Sequence, residues 1–171
     1  MSIPAELLQR VVEAPANADP KRTMPPGTVT GEDATGILEI ACMVVAADGQ
    51  IDDAEIEAVR VLGGAVKKLA RTSNGEPLTA AEVAEIAARC AGLTSEDRLA
   101  RLRAVATALS SDAARHLAYK ISLATAMADL ASTYEEVELD VDLLDALKLS
   151  DVVGDRLAGE VHEAVTPPDG D

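Results

Sequence analysis

The sequence predicts an all-α fold of about seven to eight helices, and three observations carry that reading. Apolar residues recur at intervals of three and four along most of the 171 residues, the pattern of helices that bury one face. Residues that start and stop helices separate these stretches at short intervals. Apolar residues make up 48% of the composition but aromatic residues only 1%, with no Phe or Trp. Tyr119 and Tyr134 apart, the core must be assembled from Ala, Leu, Val and Ile, which suits closely packed helices.

Residues 4 to 14 form a short amphipathic helix with Pro4 at an early position, where its missing N–H costs little. Pro15, Pro20, Pro25 and Pro26 mark a loop or arm after it. Residues 1 to 31 therefore read as an N-terminal helix and Pro-rich arm, residues 32 to 165 as one all-helical domain, and residues 166 to 171 as an acidic tail. The first long helix starts near Thr30 or Gly31 and runs to Asp48, through Ile37, Ile40, Ala41, Val44 and Val45. The second runs from Asp52 to Arg71, through Ile56, Val59, Leu62 and Ala65, and breaks at Thr72-Ser73-Asn74-Gly75-Glu76-Pro77. Gly63 and Gly64 inside it either admit a close backbone or mark a kink.

Thr79 and Glu82 form a capping box that opens a third helix, which Gly92 closes. Thr94 and Asp97 open the next, through Leu99, Leu102, Val105 and Leu109. Ser110-Ser111-Asp112 is a turn and cap before a helix over residues 113 to 129, with Leu117, Ile121, Ala124 and Met127 facing inward. Ser132 and Thr133 cap another, through Val137, Val141, Leu144 and Leu147. A last helix covers residues 151 to 164.

A formal charge of −15 opposes binding to nucleic acid or anionic lipid, which select basic surfaces, and favours cations or a basic protein partner. No apolar run approaches the roughly 20 residues that span a bilayer, and the first six residues lack the basic and apolar regions of a signal peptide. The expectation is a cytoplasmic protein with no transmembrane segment. Cys42 and Cys90 form no Cys-x-x-Cys pair and lie in Ala-rich helical patterns, so they read as buried free thiols. From Ile121 to Asp171 there are 13 acidic residues against Lys148 and Arg156, a net of −11. Glu135, Glu138, Asp142 and Asp145 follow helical spacing, giving either a solvated acidic face or a docking surface. Lys67, Lys68 and Arg71, and separately Arg98, Arg101 and Arg103, are the basic clusters; either could pair with that face in a homo-oligomer or balance charge locally.

The chemistry of the chain concentrates between the first two long helices, in Ala46-Ala47-Asp48-Gly49-Gln50-Ile51-Asp52-Asp53-Ala54-Glu55. Gly49 can take the left-handed conformation that stops a helix. Asp52 and Glu55 make a capping-box pattern for the next helix and need no further explanation. Asp48 does need one, because a carboxylate in the last turn of a helix opposes the macrodipole at a cost of about 0.3–1 kcal/mol. Exposure to water, a basic neighbour or a bound cation would offset it. Asp48, Asp52 and Glu55 offer the hard oxygen ligands that Ca²⁺, Mg²⁺ or Mn²⁺ takes. Val44 and Ala46 stand where an EF-hand would carry its first acidic ligands, which argues against that motif.

The joint has an echo later in the chain, at one constant offset. Asp129 aligns with Asp48, Glu136 with Glu55, Val137 with Ile56 and Leu143 with Leu62, while Leu130 replaces Gly49 and Thr133 replaces Asp52. This reads as a twofold helical repeat, degenerate at its second joint.

Those residues, together with Leu143-Leu144-Asp145-Ala146-Leu147-Lys148-Leu149-Ser150, resemble the TerB-like, tellurite-resistance-associated helical domains over residues 32 to 150. The resemblance implies two related helical halves, a cytoplasmic stress-response or scaffold role without enzymatic activity, and a divalent-cation site. By position that site would take Asp48, Asp52 and Glu55 from the first half and Asp129 and Glu136 from the second. No His-Pro-Asp occurs, so a co-chaperone role has no support.

Other chemistry is sparse. His116 and His162 share no metal-binding spacing, and His162, between Glu160 and Glu163, reads as a solvated surface residue. No nucleophile elbow, Walker loop or dinucleotide fingerprint is present. The two functional expectations are a cation-responsive scaffold and a structural or adaptor subunit of a larger assembly that is indifferent to metal.

Overall fold

The computed structural model describes residues 4–13, 27–46, 53–90, 92–127 and 134–166. Among these the chain forms eight helices and no strand: α1 (Ala5–Glu13), α2 (Gly31–Val45), α3 (Asp53–Leu69), α4 (Ala80–Cys90), α5 (Ser95–Ala108), α6 (Asp112–Ala126), α7 (Tyr134–Leu147) and α8 (Asp151–Val165).

The centre is α2, and its sequence explains why. From Ile37 to Val45 every residue is buried, because the run is apolar around the whole helix apart from Glu39. A helix without a polar face must be covered on all sides. Its largest neighbour is α6, and α3, α4 and α5 cover the rest. In turn α6 carries α8, α1, α3 and α7. Leu8, Val11 and Val12 of α1 join the same core, so the first helix packs on α3, α6 and α8. With no Phe or Trp, buried Leu, Val, Ile and Ala fill the interior around a single buried aromatic among the described residues, Tyr119.

The caps follow the chemistry of the sequence. Thr30 opens α2 as half of a capping box with Asp33. Thr79 accepts from the Glu82 N–H and its own N–H donates back to the Glu82 carboxylate. Thr94, Ser111 and Ser150 cap α5, α6 and α8, and Gly92, with φ +78°, follows α4. Two helix ends are less obvious. α3 stops at Leu69, two residues before the expected Arg71, because Arg71 takes a left-handed φ of 59°. There the Thr72 N–H reaches the Lys67 carbonyl at 2.8 Å, the long closing bond of a Schellman motif. α7 ends in the same way, with Lys148 at φ 57° and the Leu149 N–H on the Leu144 carbonyl. Basic residues sit where glycine is usual, so residue type does not signal the motif that makes either stop, although the expected run through Leu147 ends where α7 does.

Gly63 and Gly64 serve close approach. A Cβ on Gly64 would lie 2.3 Å from the Glu76 carbonyl oxygen, and one on Gly63 would lie 2.5 Å from Leu78 Cδ1. The neighbour is the extended segment before α4, fixed by the Leu78 N–H on the Arg60 carbonyl and by Arg60 Nε on the Leu78 carbonyl, both at 2.9 Å.

The offset that carries Asp48 onto Asp129 recurs in the helix boundaries. It carries Gly31 onto Asp112 and Val45 onto Ala126, the two ends of α2 and α6, and it carries Asp53 onto Tyr134, the starts of α3 and α7. The starts of α2 and α6 also lie side by side, because buried Asp33 accepts from the Ser110 N–H at 2.8 Å and the Ser110 hydroxyl at 2.6 Å.

Candidate functional site

Of the five residues expected to ligate a cation, Asp48, Asp52 and Asp129 lie outside the described residues. Glu55 sits in the first turn of α3 and is 6% exposed. Glu136 falls in the first turn of α7, and its side chain is outside the description. Glu135 and Glu138 of the acidic stripe stand likewise in α7; Asp145, which completes it, is exposed and 3.5 Å from Arg103. One basic residue of α5 therefore meets the stripe within the chain. Among the described residues no group of three or more His, Cys, Asp or Glu side chains is arranged to hold a metal.

Apart from Glu55, the described charges that are buried lie elsewhere, and three arrangements stand out. The first ties α2 to the turn before α6. The Asp33 carboxylate accepts from the Thr30 N–H, the Ser110 N–H and the Ser110 hydroxyl. Burial pushes its pKa up, but these hydrogen bonds to the charged form outweigh it and hold the group below 3.8.

The second lies in the seam between α6 and α8. Lys120 is 2% exposed, and its Nζ is 3.5 Å from Glu160 Oε2. Arg156 holds the other oxygen of Glu160 at 2.7 Å. Desolvation drives the Lys120 pKa down and Glu160 opposes it. His116, half-buried in the same seam, is held below 6.5 by desolvation first and then by the Arg156 charge, so it is neutral at pH 7. A buried lysine beside a neutral imidazole is a pair that acid–base chemistry uses. Here Lys120 is shut off from solvent between α6 and α8, while His116 is half-buried.

The third is a cleft of about 260 Å³ between α2 and α5. Both oxygens of Glu39 are gripped by Arg101, Oε1 from Nε at 2.6 Å and Oε2 from Nη2 at 3.0 Å, the bidentate fork that suits guanidinium and carboxylate. The Glu39 side chain is 7% exposed and that of Arg101 51%. Glu32 lines the same cleft, and Val105 and Leu109 give it an apolar wall.

Neither Glu39 nor Lys120 was singled out by sequence reasoning, although the signal was present. Glu39 interrupts an apolar run with no polar face to turn to. Lys120 stands three residues after Leu117 and four before Ala124, on the inward stripe of α6. Cys42 and Cys90 are buried free thiols, as expected. Desolvation pushes them up to about 12 and about 11, which leaves no thiolate near neutral pH. His162 is exposed. No described helix is long and apolar enough to cross a membrane. No protein-family model, curated protein or solved structure matches the chain.

Proposed function

We propose that this chain is a non-enzymatic, TerB-like scaffold of the stress-response type, whose two acidic joints form a divalent-cation site. The observation that carries the reading is the recurrence of helix boundaries at one offset, with α2 and α3 followed by α6 and α7 at the same interval. On this reading the two joints hold equivalent positions in the sequence of two halves, and the Asp33–Ser110 contact brings the starts of α2 and α6 together. Burial of Glu55 beside the first joint adds a carboxylate partly withdrawn from water, an environment that strengthens its attraction for a cation.

Thermal unfolding with and without millimolar Ca²⁺, Mg²⁺ or Mn²⁺ tests this. At about 100 times Kd a bound ion adds roughly 2.7 kcal/mol to stability, and Asp48→Asn should abolish the gain. An unchanged midpoint with every ion would sink the reading.

A second reading, a metal-indifferent adaptor for a basic protein partner, is favoured by Val141 and Val152. They are the exposed large hydrophobic residues among those described, at 66% and 78%. Val152 lies between exposed Asp151 and Asp155 in the acidic third of the chain, a mixture of apolar anchor and negative rim that suits a cationic, partly apolar surface. On this reading Val152→Ser combined with Asp155→Asn should abolish capture of the partner without altering the melting temperature; undiminished capture by that variant rejects it.

A further inference from the structure

The seam between α6 and α8 is built as a ladder of charged rungs. On α6, Asp112, His116 and Lys120 recur every four residues and so share one face; on α8, Arg156 and Glu160 do the same. Lys120 Nζ meets Glu160 Oε2 at 3.5 Å, and Arg156 Nη1 donates to Glu160 Oε1 at 2.7 Å. His116, one turn before Lys120, falls beside Arg156, one turn before Glu160, and Arg156 is the charge that acts on it most. The Lys120 rung joins opposite charges at any pH near neutrality. The His116 rung sets a neutral ring against a guanidinium, and a protonated ring would set cation against cation.

The carboxylates within reach of that rung are already engaged. Glu160 serves both Lys120 and Arg156, and its contact with Lys120 is longer than a good N–H···O hydrogen bond. Asp112 is exposed and holds Arg115 at 2.8 Å. Arg156, Asp112, Glu160 and Lys120 are the four charges that act most on His116. Of the other helices packed on α6, α1 also touches α8 and carries Glu6 and Arg10, both exposed, while α2, α3 and α7 supply none of the four.

The element that can respond is α8. Its main neighbours are α6 and α1, and it buries Leu157, Val161 and Ala164. Its start is held separately: a Cβ on Gly154 would lie 2.8 Å from Leu144 Cδ2 of α7, and the Leu149 N–H closes on the Leu144 carbonyl at 2.9 Å. The helix can therefore swing from α6 beyond Gly154 while its first turn stays on α7.

We propose that the α6–α8 seam is an acid-sensed latch: protonation of His116 beside Arg156 lifts α8, from Arg156 onward, off α6 and α1 and bares Leu157 and Val161, while the packing of α2 on α6 stays closed. The same motion returns Lys120 and Glu160 to water, so the open form recovers hydration that the closed form gives up. The latch uses neither the acidic joints nor the Val141 and Val152 surface, so its test is independent of both readings above.

Hydrogen exchange of the full chain, followed by mass spectrometry at pH 7.5, 6.5 and 5.5 and corrected for the intrinsic pH dependence of exchange, tests the proposal. The opening constant for amides of residues 156–165 should rise towards acid by up to tenfold per pH unit, the limit for uptake of one proton, with that of α2 unchanged. His116→Gln should flatten the α8 profile. His116→Arg, charged at every pH, should show at pH 7.5 the exchange that the parent shows at pH 5.5. Joint loss of protection in α2 and α8 would make the transition global unfolding and overturn the latch. An acid response of α8 that His116→Gln leaves unchanged would overturn it equally.

Discussion

Glu160 is the counter-ion that allows Lys120 to stay in the α6–α8 seam: its Oε2 lies 3.5 Å from an ammonium on a side chain that is 2% exposed. The two partners differ in what they leave behind. Removing Glu160 takes a carboxylate from a buried cation and leaves that cation near a second one, Arg156. Removing Lys120 leaves a carboxylate that Arg156 still holds at 2.7 Å.

The two deletions should therefore be unequal. Glu160→Ala is expected to cost about 3 kcal/mol, the scale of breaking a buried ion pair from one side, whereas Lys120→Met, an apolar side chain of similar reach, should fall within about 1 kcal/mol of the parent. Urea unfolding of the two variants gives the comparison. Equal losses would mean that α8 is held by its apolar face alone.

Two glycines should respond to alanine with opposite sign. At Gly64 the new methyl would lie 2.3 Å from a backbone oxygen of Glu76, which cannot turn aside as a side chain would. Gly64→Ala should cost at least about 1–3 kcal/mol, as overpacking does. At Gly159, inside α8, nothing lies within 4 Å, and Gly159→Ala should stabilise by about 0.4–1 kcal/mol through the lower entropy of the unfolded chain. Denaturant midpoints of both variants measured together decide the point, and a stabilised Gly64→Ala would remove the 76–78 segment from its place on α3.

The helices were legible in the sequence because period and caps agreed along the chain. Thr30, Thr79, Thr94 and Ser111 all stand at the helix starts their side chains suggest. The end of α3 was less legible, since Arg71 carries no outward sign of a positive φ; α7 ends at Leu147 as read, although Lys148 hides its φ in the same way. The core positions of Glu39 and Lys120 were hidden for a different reason. Residue type places a charge on the surface by default, and only the apolar residues around it say otherwise. Glu55 illustrates the limit of local reasoning: a capping pattern accounts for a glutamate at that position, but its burial depends on which helices pack against α3.

Cys42 and Cys90 should be inert in the folded protein. Both are buried, and their thiols are held at about 12 and about 11, so almost no thiolate exists at pH 8. A disulfide reagent should modify neither native thiol on the timescale of manual mixing and both in denaturant. A labelling rate that tracks the unfolded population across a denaturant series is the expected result. Fast labelling of one cysteine in the native state would place it at an opening of the core that the packing of α2 on α4 does not contain.

Stability should fall on mild acidification, and His116 is the group responsible. Its pKa is lowered below 6.5 by desolvation and by Arg156; Asp112 and Glu160 oppose the shift, and Lys120 adds to it. A base whose folded pKa lies below its unfolded value binds fewer protons folded than unfolded, so unfolding takes up a proton between the two values. The contribution of neutral His116 is therefore complete above about pH 6.5 and is lost as pH falls below it. Asp33 and Glu82 are held low, with unfolded values of 3.8 and 4.5, so their contributions persist until the solution is more acidic. Thermal midpoints taken between pH 7.5 and pH 5 should decline for the parent and stay nearly level for His116→Gln, which cannot be protonated. Parallel profiles for the two proteins would exclude His116 and direct attention to charges outside the α6–α8 seam.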